Sequence, residues 1–88
     1  MSNAKVLAEI KLLAQIEFRI IWTSHALLRM ATRGASKQDV IKGLRTGTTC
    51  VWSTEHASWN VTGGADLDGD EILVAVNVEG NLIIRTVF

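Results

Sequence analysis

The sequence predicts an α+β domain, and three observations carry that expectation. Apolar residues recur at helical spacing up to about residue 46, whereas β-branched and aromatic residues dominate after Gly47. Proline is absent, so glycine, asparagine and aspartate must supply the turns. Helices first and strands after place a helix hairpin on one face of a four-stranded antiparallel meander. The 88 residues suit one domain with a modest core, and a hydrophobic content of 48% argues against disorder.

Asn3 can cap a first helix over about residues 4–16, with Val6, Leu7, Ile10, Leu13 and Ala14 on one apolar face. That face is expected in the core; the alternative is a dimerisation arm. Ser2-Asn3-Ala4 reads equally as native sequence or as a remnant of cloning. In Glu17–Trp22, Phe18, Ile20 and Trp22 alternate with Glu17 and Arg19, the period of a half-buried strand. Thr23 or Ser24 caps a second helix that Gly34 ends. Ser36 and Asp39 form a weak capping box for a third, with Val40, Ile41 and Leu44 inward and Gly47 as its stop. The two helices joined by Gly34-Ala35 read as a hairpin.

Strands follow at Thr48–Ser53 and around Trp59 and Val61, with Gly63-Gly64 marking a bulge or a close backbone approach. Asp68-Gly69 is a hairpin turn. Ile72–Val78 is apolar on both faces and reads as a central strand, and Leu82–Phe88 is the last.

The formal charge is zero, which disfavours general nucleic-acid affinity but leaves room for a local cationic pocket. A lone Cys50 forms no internal disulfide and suits a reducing, cytoplasmic setting; a buried thiol is expected. No apolar run approaches the roughly 20 residues of a membrane span, and charged residues interrupt any signal-like start.

The second helix carries the candidate chemistry. His25, Arg29, Thr32 and Arg33 fall on one side; Ala26, Leu27, Leu28, Met30 and Ala31 fall on the other. An imidazole can move a proton near neutrality, and guanidinium forks match phosphate oxygens. Such a stripe suits metal-independent RNA cleavage; the alternative is a solvated helix surface. Arg85, in register with Ile83 and Val87, is either a further phosphate clamp or the partner of Glu17, Glu71 or Asp66. His56 reads as a solvated loop histidine, with a second acid–base role only if its turn folds over the helices. Trp22, Trp52 and Trp59 read as core pieces rather than stacking platforms. Asp66–Glu71 lacks the spacing and distal glutamate of a calcium loop, so no metal and no cofactor are expected.

His25-Ala26, Arg29-Met30, Arg33-Gly34 and the Ser-led helix with Asp39-Val40 form a recognisable series. Together with Trp59–Gly63, Asp68-Gly69 and the closing Ile84–Phe88, they resemble the small bacterial domain of unknown function 4258 family over about residues 19–88. The resemblance leaves the N-terminal helix, residues 1–16, outside a toxin-like domain of residues 17–88. It implies a RelE-like fold, in the set that includes the RelE and ParE toxins. It also implies a possible RNA substrate, an antitoxin partner and His25, Arg29, Arg33 and Arg85 as site residues. The competing expectation is a non-catalytic interaction module using the same face, and a homodimer joined through the first helix is a third.

Overall fold

The computed structural model describes residues 3–88, so Ser2 lies outside the described residues. Three helices and five strands are built: α1 (Asn3–Leu13), β1 (Ile20–Trp22), α2 (Ser24–Arg33), α3 (Lys37–Thr46), β2 (Thr49–Ser53), β3 (Ser58–Ala65), β4 (Glu71–Val78) and β5 (Leu82–Val87). The α+β expectation holds. The sheet, however, has five strands in the order β1-β5-β4-β3-β2. β2 to β5 pair antiparallel in chain order, but β1 joins parallel to β5, Ile20 opposite Leu82 and Trp22 opposite Ile84. The sheet is therefore mixed. A parallel neighbour needs a long crossover, and the rest of the chain supplies it.

The expected strand over Glu17–Trp22 is shorter. Glu17–Arg19 form a single 3₁₀ turn, and Phe18, expected inward, is 85% exposed. Arg19 donates to the Gly80 carbonyl at 2.9 Å, anchoring the turn beside the start of β5.

One face of the sheet is covered. Cys50, Val61, Ile72, Val74, Val76, Leu82, Ile84 and Val87 meet Val6, Ile10, Leu13 and Ala14 of the first helix and its end, Ala26 and Met30 of α2, and Val40, Ile41 and Leu44 of α3. α1 thus shares the core of the strands, as its apolar face predicts. α2 and α3 do not pack as a paired hairpin. α2 lies on β5, α3 on β3 and β4, and α1 on β2 and α3. Gly34 at φ 77° makes the corner between α2 and α3, where Ala35 N–H reaches the Met30 carbonyl at 2.9 Å. Only Ala26 and Met30 of the expected apolar side of α2 are buried; Leu27 and Leu28 remain in solvent.

α3 sits very close to the sheet because Gly43 faces Ile72 and Gly64 faces the Gly43 carbonyl. A Cβ at Gly64 would overlap that backbone oxygen, so a side chain there would push helix and strand apart. Both readings of Gly63-Gly64 apply: Gly63 has φ 79°, and the β3–β4 register shifts between Val61 and Gly64. Of the tryptophans, Trp22 and Trp59 pack against the core, whereas Trp52 is 43% exposed and meets Trp59 edge-on at 5.2 Å. No helix among the described residues is long and apolar enough to cross a membrane.

Candidate functional site

Side chains alternate along each strand, so Ser58, Asn60, Asn77 and Thr86 project from the face opposite the helices. α2 reaches that face by lying along the β5 edge beyond the point where β1 stops. Its position is fixed by Thr23. The Thr23 hydroxyl accepts the Ala26 N–H at 3.1 Å as the helix cap and donates to the Ile84 carbonyl at 2.7 Å. His25 and Arg29 then follow one turn apart at the sheet edge, with Arg29 Nε reaching the Val87 carbonyl in a long contact of 3.4 Å.

β5 contributes through an irregularity. Ala75 lies opposite Thr86 and Val76 opposite Ile84, so Arg85 is the extra residue of a bulge. Bulges re-aim side chains, and this one turns Arg85 out of the ladder. From the other side comes the turn between β2 and β3. Ala57 adopts φ 50°, its carbonyl accepts the Asn77 side-chain amide at 2.8 Å, and His56 N–H reaches Ser53 Oγ at 3.3 Å. The turn is thereby tied to β4.

These elements enclose an open cavity of about 500 Å³. His25 and Arg29 from α2, Arg85, Thr86 and Phe88 from the end of β5, and His56 and Ser58 from the other side line it, with Thr23 at the corner. None of the described lining residues has a carboxylate side chain. In a chain of zero formal charge, two guanidiniums and two imidazoles have been gathered round one hollow. Such a rim favours a bound anion. Its charged groups are exposed, whereas Ser58 is 1% exposed and its hydroxyl has no hydrogen-bond partner.

Of the four sequence-predicted site residues, the structure brings together His25, Arg29 and Arg85. Arg33 is separate: its guanidinium donates to the Glu71 carbonyl at 2.6 Å. The physical reason is the line of burial along α2. Ala26 and Met30 turn inward, and position 33 continues that stripe toward the start of β4. The ion pairs considered for Arg85 are ruled out by topology. Glu71 lies four residues, about 13 Å, along β4 from the partner of Thr86, and Glu17 precedes the opposite end of β5. Asp66 is engaged at its own hairpin, where Oδ1 accepts the N–H groups of Asp68 and Asp70 at 3.0 and 2.9 Å.

His56, expected as a loop histidine in solvent, is exposed but forms part of the cavity wall. Its placement depends on Asn77, an ordinary polar residue on an apolar strand. Ser58 was equally inconspicuous in sequence; only the pairing of β3 with β4 shows where it points. The carboxylate oxygens of Asp66, Asp68 and Asp70 come within 4.8 Å of one another, and the backbone bonds to Asp66 account for that cluster as a turn. A second cleft of about 490 Å³, between α1 and β2, holds Leu7, Lys11 and Cys50 but lacks any acid–base pair. Comparison with protein-family models, with curated proteins and with solved structures finds no match for this chain.

Proposed function

We propose that the cavity is the site of a metal-independent endoribonuclease, in a RelE-like, toxin-type protein similar to the domain of unknown function 4258 family. One observation carries the reading: two imidazoles, from α2 and from the β2–β3 turn, line a single hollow together with Arg29 and Arg85. The helices against one face of an otherwise antiparallel sheet suit a RelE-like description.

The chemistry follows from the groups present. One imidazole takes the proton of a ribose 2′-hydroxyl, whose oxygen attacks the adjacent phosphorus. The bond from phosphorus to the 5′-oxygen breaks, and the other imidazole, protonated, supplies that oxygen with its proton. A 2′,3′-cyclic phosphate and a 5′-hydroxyl result. Arg29 and Arg85 neutralise the charge that builds on the non-bridging oxygens. In this reading the protein acts in the cytoplasm, and an antitoxin silences it by laying an acidic segment across the cationic rim.

The test is cleavage of single-stranded RNA in the presence of a chelator, with growth inhibition on expression as a second readout. His25→Ala and His56→Ala are each expected to slow cleavage by about 100-fold or more, and Arg85→Ala to weaken substrate binding. Unchanged cleavage and unchanged growth inhibition by His25→Ala would remove the catalytic reading. If the rim variants then abolished binding of an acidic peptide, the non-catalytic interaction module would take its place.

A further inference from the structure

The cavity has two chemically different levels. Charge sits at the rim, on exposed Arg29 and Arg85, beside the exposed imidazoles of His25 and His56. Ser58 lies below, 1% exposed, with a hydroxyl that meets no donor or acceptor. Two residues along β3, and so on the same face, Asn60 Oδ1 is likewise buried and unpaired. Buried polar atoms are normally satisfied, and each one left open costs stability. The neighbouring Ser53 hydroxyl, by contrast, is engaged by the His56 N–H at 3.3 Å. Of these two paired serines, the one with the open hydroxyl is the one that lines the cavity.

We infer that Ser58 is the base-reading contact of this site: the rim holds a phosphate, and the Ser58 hydroxyl bonds the polar edge of the attached nucleobase. A ligand that satisfies both levels must be anionic at one end and neutral with hydrogen-bonding groups at the other. A nucleotide unit of single-stranded RNA has that form, and about 500 Å³ is in the range of cavities that accept ligands of this size. Phe88, exposed in the same lining, offers an aromatic face for stacking. This assignment rests on the phosphate-binding reading above and adds to it the residue that selects among bases. A hydroxyl serves because it donates or accepts by rotation.

The experiment titrates the full chain and Ser58→Ala with inorganic phosphate, with the four nucleoside 3′-monophosphates and with ribose 5-phosphate, and records thermal melting of both proteins without ligand. Ser58→Ala is expected to melt at the same temperature or higher, because it deletes a polar atom that has no partner. It is expected to bind inorganic phosphate as the parent does, to bind the preferred nucleotide about tenfold more weakly, and to lose discrimination among the four. A variant that melts several degrees lower, or does not fold, with nucleotide preference intact in the parent, would make the hydroxyl structural and overturn the inference. So would equal nucleotide affinity in both proteins. Ribose 5-phosphate bound as tightly as any nucleotide, with the same dependence on Ser58, would move the contact to sugar and refute base reading. Nucleotide selectivity that depends on Ser58 in a parent that cleaves no RNA would uphold this inference while removing the catalytic proposal. Cleavage of RNA by the parent without any base preference would do the reverse.

Discussion

Arg33 sits one helical turn past Arg29, yet its guanidinium is used by the Glu71 carbonyl rather than by the cavity. Arg85 carries the same charge on an exposed bulge that lines the cavity. Substitution should separate the two. Arg33→Ala is expected to cost about 1 kcal/mol, lowering the melting temperature by several degrees while phosphate affinity stays unchanged. Arg85→Ala is expected to leave melting within the small range of surface changes, about 0.5 kcal/mol, and to weaken phosphate binding. Thermal melts with a phosphate titration read both; loss of phosphate affinity in Arg33→Ala would return that residue to the site. The sequence showed the charge of these residues and their helical spacing, which was enough to place His25 beside Arg29. It could not show that the buried stripe of α2 runs through position 33. That depends on how the helix is rolled against β5, and Thr23 sets the roll through its bond to Ile84.

At the level of elements, α3 is held at its start by a reciprocal capping box. Ser36 Oγ accepts the Asp39 N–H at 3.1 Å, and the Asp39 carboxylate accepts the Ser36 N–H at 2.8 Å. The other Asp39 oxygen accepts the Leu67 N–H at 2.9 Å, which ties the β3–β4 hairpin to the helix. The Ser36 and Leu67 backbone bonds, helped by the Ser36 hydroxyl, pull the Asp39 carboxyl below the usual range. A carboxyl whose pKa falls on folding stabilises the fold above its unfolded value, near 4, and loses that contribution as pH drops through the lower folded value. The native chain should therefore melt higher than Asp39→Asn at neutral pH, and the gap should narrow as pH falls below about 4. A gap that stays constant from neutrality into acid would show that the ionised carboxylate is not what matters. The sequence already displayed this box, with Ser36 and Asp39 at the right spacing. The tie to Leu67 was hidden, because it joins segments 28 residues apart.

For the molecule as a whole, the decisive surprise is the partner of β1. Local alternation identified Ile20 and Trp22 as strand residues, but alternation carries no information about which strand lies alongside. The meander is legible because short turns force neighbours to pair; a parallel contact across more than sixty residues has no local signature. The same limit hid the cavity, which is made where α2, the end of β5 and the β2–β3 turn converge. α1 was legible as an amphipathic helix, and its place in the common core gives a global readout. Cys50 is 3% exposed against α1, its Sγ lies 3.2 Å from the Asn3 carbonyl, and burial pushes its thiol up, toward the unreactive protonated form. Alkylation of Cys50 is expected to be slow in the folded protein and to accelerate only where melting begins. Rapid labelling well below that temperature would show α1 to be a detachable arm.

The bond between Thr23 and Ile84 also has a temporal side. A ribosome makes the histidine-bearing helix early and its anchoring strand tens of residues later. Until that last strand has left the exit tunnel, the helix has no edge to lie on and the cavity does not exist. A nascent chain that stops short of β5 has no such cavity, because Arg85, Thr86 and Phe88 supply one of its walls.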